Sequence, residues 1–209
     1  MPVVDRAVLL EVLEESRGLG LLGPGPVARQ YAHASDLAAA IGPFTGQFVD
    51  LGAGGGLPGL VLAEHWPDAS GTLLDAQQRR CAFLERAVER LGLDQRFMVV
   101  CGRAERLARE PALRGRFDLV VARSFAAPAV TAECAVGFLR PGGGLVVTEP
   151  PEADSAATRW PAPEMAQLGF GAVASIRHGE TGAMRVILAG EVADRWPRRE
   201  GVPGKRPLW

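Results

Sequence analysis

The chain has 209 residues, 47% hydrophobic and 22% charged, with a net charge of −1. This composition fits one packed domain and excludes a disordered tail protein. Its 26 glycines and 16 prolines follow no triplet period, so collagen is excluded and the excess belongs in loops. The even charge balance argues against a uniform field drawing the molecule onto nucleic acid.

Apolar spacing predicts a helix over 3–15, through Val4, Val8, Leu9, Val12 and Leu13. A breaker segment runs from Gly18 to Pro26, and Pro26 suits the first turn of a second helix reaching about Ile41. From Phe48 to Leu51 a short apolar run followed by glycine reads as a buried strand. A helix at about 57–66 follows, then a strand Gly71–Asp75, a helix Gln77–Leu91, a strand Phe97–Cys101 and a short helix Arg103–Arg109. The pattern continues with a strand Phe117–Ala122, a helix Ala126–Leu139, a strand Gly144–Thr148 and a helix Thr158–Leu168. The proline-rich stretch 150–163 reads as a surface loop. Two last strands, Ala172–Arg177 and Met184–Ala189, flank a glycine-bearing turn and form an antiparallel hairpin. Strands alternating with helices predict an α/β fold, a mostly parallel sheet covered on both faces. We read a single domain over 1–209: a short helical extension at 1–45, a core at 46–190 and a basic tail at 191–209.

No run of about 18 apolar residues is present, so no transmembrane helix is expected. Acids within the amino-terminal apolar stretch exclude a signal peptide. Cys81, Cys101 and Cys134 lack Cys-x-x-Cys spacing, which predicts a reducing compartment, the cytoplasm, and no zinc or other metal. All three cysteines are expected to be small core residues; Cys81 shares the apolar side of its helix with Leu84 and Val88. His33, His65 and His178 are scattered, with no partner at ligand spacing. Arg79 and Arg80 read as a solvated face, and Trp196 and Trp209 as staples that hold the tail.

The sharpest signal is Asp50-Leu-Gly52-Ala-Gly54-Gly-Gly56-Leu57-Pro58-Gly59, after one predicted strand and before a helix. Small residues let backbone N–H groups approach a ligand at the carboxyl ends of the strands. Asp50 inside the motif would repel a pyrophosphate and suit an ammonium or sulfonium group. Asp75 ends the next strand, where a carboxylate accepts from ribose hydroxyls, and Gly102-Arg103-Ala104-Glu105 follows the third.

These residues resemble the RsmG family of bacterial 16S ribosomal RNA guanine-N7 methyltransferases, also called glucose-inhibited division protein B. The likeness rests on FVDLGAGGGLPGLVLA (48–63), TLLDAQQRRCAFLERAVERLGL (72–93), GRAERL (102–107) and FDLVVARSFAAP (117–128). HASDL (33–37) is similar to the family's His-x-x-Asp-Ser-Leu segment, and the tail RWPRREGVPGKRPL (195–208) to its basic end. The resemblance implies a class I S-adenosylmethionine-dependent methyltransferase fold, Rossmann-like, acting on ribosomal RNA or the small ribosomal subunit as a monomer. Carried over by position, Gly52, Gly54 and Leu57 line the methionine side of the cofactor. Asp75 holds the ribose, Ala104 and Glu105 contact the adenine, and Arg123 stands at the mouth between cofactor and substrate. No chemical catalyst is implied, because guanine N7 carries a free lone pair and has no proton to lose.

Two departures bear on the substrate. The amino-terminal region is short, glycine-rich and lacks the family's Asn-Leu-Thr stretch. After the fifth strand, where the family carries Lys-Gly, the chain reads Thr148-Glu149-Pro150-Pro151. A diverged methyltransferase with a small-molecule or other RNA substrate is therefore one alternative, and a nucleotide- or NAD-binding module without methyl transfer is another. Charge is segregated along the chain. Residues 77–123 hold eleven arginines against six acids, and 195–209 five basic residues against Glu200 alone, so the rest of the chain is strongly acidic. Positive charge collected in this way is compatible with docking onto phosphate at one face. Lys205 is the one lysine among 23 basic residues.

Overall fold

The computed structural model describes residues 4–150 and 156–209. Five parallel strands form the centre: β1 (Gln47–Leu51), β2 (Ser70–Asp75), β3 (Phe97–Cys101), β4 (Phe117–Ala122) and β5 (Leu139–Glu149). β6 (Ala174–His178) and β7 (Thr181–Ile187) add an antiparallel pair, giving the order β3-β2-β1-β4-β5-β7-β6. The central strands are buried on both faces, so they read as continuous apolar runs rather than as alternation.

The period of two divides these residues between two cores. Phe48, Leu73, Leu119 and Val121 face α1 (Arg6–Gly18), α2 (Val27–Ile41), α3 (Gly59–His65) and α4 (Gln78–Arg90). Val49, Leu51, Leu74, Val120 and Ala122 face α5 (Ala104–Leu107), α6 (Pro128–Val136) and α8 (Ala162–Gln167), with the short α7 (Ala156–Arg159) preceding α8. Asp5 caps α1 by accepting the Ala7 N–H at 2.8 Å. Leu9, Leu13 and Leu84 are fully buried on the first face, each burial contributing about 1.5–3 kcal/mol.

The structure corrects several sequence expectations. The helix expected over 158–168 is broken at Trp160-Pro161 into α7 and α8, because proline lacks the N–H and forces the preceding residue out of the helical region. The stretch 150–163 is not simply a surface loop: Trp160 is fully buried, and residues 151–155 lie outside the described ones. The helix expected over 126–139 is confined to α6, and β5 begins at Leu139 and runs through a register shift opposite Phe117 and Leu119. β7 starts at Thr181, which tightens the hairpin turn to Gly179-Glu180, with Gly179 at φ +53°. A short α9 (Val202–Lys205) sits within the tail. Cys81 and Cys134 are buried as expected, but Cys101 is exposed, because β3 is an edge strand only partly covered by helices.

Candidate functional site

The glycine loop joins β1 to α3 and lies over the carboxyl end of β2. Gly52 and Ala53 both donate to the Leu74 carbonyl at 2.9 Å, and Gly54 donates to Asp75 Oδ2 at 3.0 Å. Gly52 has φ +78°, and a Cβ there would stand 2.6 Å from the Phe125 ring, so only glycine fits. Around Gly54 the nearest atom to an added Cβ is 3.7 Å away, which leaves the crest of the loop open. Ser16 at the end of α1 donates to the Gly55 carbonyl at 2.9 Å, and Arg79 to the Leu19 carbonyl at 2.8 Å. The amino-terminal segment is thereby pinned beside the loop.

Asp50 lies beneath this loop. It is fully buried; Oδ2 accepts the Gly59 N–H at 2.7 Å, and Oδ1 has no partner among the described residues. Burial pushes its pKa up to about 7, opposed by the Gly59 N–H and the Arg123 charge and assisted by Asp75. Asp50 thus braces the start of α3. Asp75, the second carboxylate read from the sequence, ends β2 with Oδ1 accepting from Gln77 N at 2.8 Å and Arg80 Nη1 at 3.4 Å from Oδ2; it too is buried.

Arg123 follows β4 directly and shares a sheet face with Val121, the register partner of Asp50. Burial lowers its pKa from the ordinary value, the Asp50 charge opposes that, and Nη1 is buried without a partner among the described residues. Arg123 and Ser124 are common to two cavities. One, of about 200 Å³, is lined by Gly52, Gly54, Leu57, Arg80 and the segment Leu21–Gly23. The other, of about 360 Å³, is lined by His33, Phe125, Thr148, Glu149, Arg159 and Trp160. A further cavity of about 330 Å³ opens at the amino-terminal edge of the sheet, beside Gln47, Ser70, Arg96 and Met98, away from the loop.

The structure therefore gathers Gly52, Gly54, Leu57 and Arg123 around one cavity, with Asp75 joined to it through Gly54. Ala104 and Glu105 lie beyond β3 at the start of α5 and do not line it. Both are buried, and Glu105 Oε1 accepts from Arg103 Nη2 at 3.1 Å and from Gly201 N at 3.2 Å. The tail is fixed more firmly still. Glu133, fully buried in α6, accepts from Arg198 N and Nε at 2.8 Å each. Trp196 Nε1 donates to the Gln167 carbonyl at 3.1 Å, and Trp209 Nε1 to the Arg159 carbonyl at 2.9 Å, as the staple reading expects.

Sequence reasoning left His33 among scattered histidines, although its HASDL segment carried the signal. In the structure it lines the second cavity with Nδ1 buried and unpartnered among the described residues. Burial and the Arg123 charge hold its pKa below the usual histidine value. Glu149, noted only as a departure, is half-buried there; it pairs with Arg159 and accepts from Trp160 Nε1 at 2.8 Å.

Among the described residues no helix is long and apolar enough to cross a membrane, and no cluster of acids, histidines and cysteines is placed to hold a metal. The sheet order, with its glycine loop at the carboxyl end of the first strand, defines the class I methyltransferase fold. It is shared by an O-methyltransferase from Bacillus cereus in complex with SAH, at a TM-score of 0.57 and 15% identity, over 88% of this chain and 91% of that one. A T. thermophilus 16S rRNA N2 methyltransferase, RsmC, solved with AdoMet and guanosine, gives a TM-score of 0.52 at 21% identity, over 78% of this chain and 40% of that one. The model of the GidB family, described as rRNA small subunit methyltransferase G, matches residues 29–157. Ribosomal RNA small subunit methyltransferase G of Deinococcus deserti is 37% identical over 78% of this chain and 68% of its own length. The same-named protein of Rubrobacter xylanophilus is 33% identical over 98% of this chain and 82% of its own. The chain belongs to the GidB family of methyltransferases.

Proposed function

We propose that the chain methylates guanine N7 in the RNA of the small ribosomal subunit, as a cytoplasmic monomer that uses S-adenosylmethionine. The observation that carries this reading is Arg123 standing as the common wall of two adjoining cavities, a glycine-lined one for the methyl donor and a second for the acceptor. The residues present fit the donor: an open crest at Gly54, a carboxylate at the end of β2 and an unpartnered buried guanidinium N–H on the far wall. S-adenosylmethionine supplies, when bound, a methyl group carried on a sulfonium.

On this reading Gly52, Gly54 and Leu57 hold the methionine portion, and Asp75 accepts from the ribose hydroxyls. Of its roughly four lone-pair positions three are engaged among the described residues, and the fourth would take a hydroxyl. Ala104 and Glu105 bound the adenine from the α5 side, with the Glu105 carboxylate committed to the tail. Arg123 orients the acceptor against the glycine loop. Since N7 loses no proton, these residues act by alignment and by excluding water, and none acts as a base.

The test is transfer of labelled methyl from S-adenosylmethionine to 30S subunits from cells lacking the native enzyme. Recovery of label as 7-methylguanosine is expected; no incorporation by folded protein, or label in another nucleoside, overturns the reading. S-adenosylhomocysteine should raise the melting temperature and NAD should not, whereas stabilisation by NAD alone would mark a dinucleotide-binding module. Glu149, standing where the family carries a basic residue, favours a second reading, a diverged substrate, which methyl transfer to free nucleosides but not to 30S would establish.

A further inference from the structure

The second cavity carries, beside Arg123, an acceptor that the proposed function has not yet used. Glu149 ends β5 inside this cavity, and its carboxylate is held by two neighbours that also line it. Oε1 accepts from Trp160 Nε1 at 2.8 Å and Oε2 takes the Arg159 guanidinium. Trp160 is 1% exposed and Arg159 also bounds the cavity, so the carboxylate is held in one orientation. An ionised carboxylate has about four lone-pair positions and accepts only. Among the described residues two are occupied, one on each oxygen, and the remaining position on each oxygen can receive one of two parallel N–H groups.

Arg123 presents the complement. Its buried Nη1 is a donor without a partner among the described residues, on the wall between this cavity and the glycine loop. Phe125, half-buried on the same wall, offers an aromatic face. A carboxylate and a guanidinium lining one cavity match one edge of one base. Guanine presents N1–H and an N2 amino group next to the O6 acceptor. Adenine presents an acceptor at N1 and an amino group at position 6, which leaves the carboxylate facing a lone pair.

We propose that the second cavity is a guanine pocket, in which Glu149 accepts from N1–H and the N2 amino group and Arg123 donates to O6. It rests on the assignment of that cavity to the acceptor and names the residue that selects it. Engaging this edge leaves N7, on the opposite edge beside O6, free of hydrogen bonds and turned toward the Arg123 wall. A carboxylate at N1–H also stabilises the positive charge that the ring acquires when N7 is alkylated. The acid in place of the family's basic residue thereby becomes a base-reading group, with Arg159 supplying the local positive charge.

The experiment is titration of the full chain, saturated with S-adenosylhomocysteine, with 5′-GMP, 5′-IMP and 5′-AMP by calorimetry. IMP differs from GMP only by the absent N2 amino group. GMP should bind about tenfold tighter than IMP, the value of one base-edge hydrogen bond in a good pair, and AMP weakest. Glu149→Gln, whose amide replaces one acceptor by a donor, should abolish the preference for GMP while S-adenosylhomocysteine still raises the melting temperature. Because Glu149 also holds Trp160, the wild-type comparison decides the question even if that variant fails to fold. Equal affinity for GMP and IMP, no GMP binding at millimolar nucleotide, or a Glu149→Gln protein that keeps the preference overturns the proposal. A 30S preparation that takes no methyl while GMP is preferred removes the ribosomal assignment and leaves the pocket. Methylated 30S with GMP and IMP bound alike does the reverse.

Discussion

Asp50 and Arg123 show how far a single residue can be read from the chain and where reading stops. The alternation along β1 and β4 places both on one sheet face, and the glycine run places Asp50 at a tight turn between strand and helix. Nothing local says that the loop folds back over the carboxylate, which depends on Gly59 packing within 2.4 Å, by an added Cβ, of the Leu73 side chain on another strand. The buried carboxyl has a consequence for stability. Its proton leaves near 3.8 in the unfolded chain and at about 7 in the native one. Between those values the native state binds more protons, so this group's contribution falls as pH rises through that window and is flat above it. Asp50→Asn removes that slope: the stability difference, variant minus wild type, should grow from about pH 4 to pH 7 in urea denaturation series. A difference independent of pH would show that Asp50 titrates normally. Arg123→Ala should leave the fold intact and lower kcat/KM for 30S methylation on the order of 100-fold through loss of alignment; unchanged transfer and unchanged cofactor affinity would remove Arg123 from the site.

Among the elements, every central strand was legible, because a strand buried on both faces must be apolar throughout and the helices between carry a 3.6-residue stripe. Among the short helices α5 was legible after its strand, whereas α7, α8 and α9, too short to show a period, fell inside a loop, a single helix and a tail. The tail illustrates the cost. Its basic composition pointed outward to phosphate, whereas Arg198 is turned inward onto the fully buried Glu133. Removing one partner of such a pair leaves the other charge without compensation, at about 3–5 kcal/mol. Arg198→Ala should therefore destabilise the protein by about 3 kcal/mol in equilibrium denaturation, while Arg199→Ala, at an exposed position, should cost under about 0.5 kcal/mol. Similar values for the two would mean that Glu133 is solvated.

Across the whole molecule, a net charge of −1 conceals arginine-rich stretches and an acidic remainder. With Arg198 withdrawn into an ion pair, the tail still exposes Arg195, Arg199, Lys205 and Arg206. If these meet ribosomal phosphate, log kcat/KM for 30S should fall linearly with log salt, and removing each cation that pairs with a phosphate should flatten the slope by about one unit. Arg199→Ala with Lys205→Ala is the measurement; an unchanged slope would place the phosphate-binding surface elsewhere. The way the tail is fastened also sets a schedule. Translation runs from amino to carboxyl end, so the glycine loop leaves the ribosome long before Arg198 and Gly201. Until they arrive, Glu133 and Glu105 sit at the floor of α6 and α5 without the guanidinium and amide that later cover them. A chain halted before residue 196 therefore has every residue of the glycine loop and neither of these two partners from the tail.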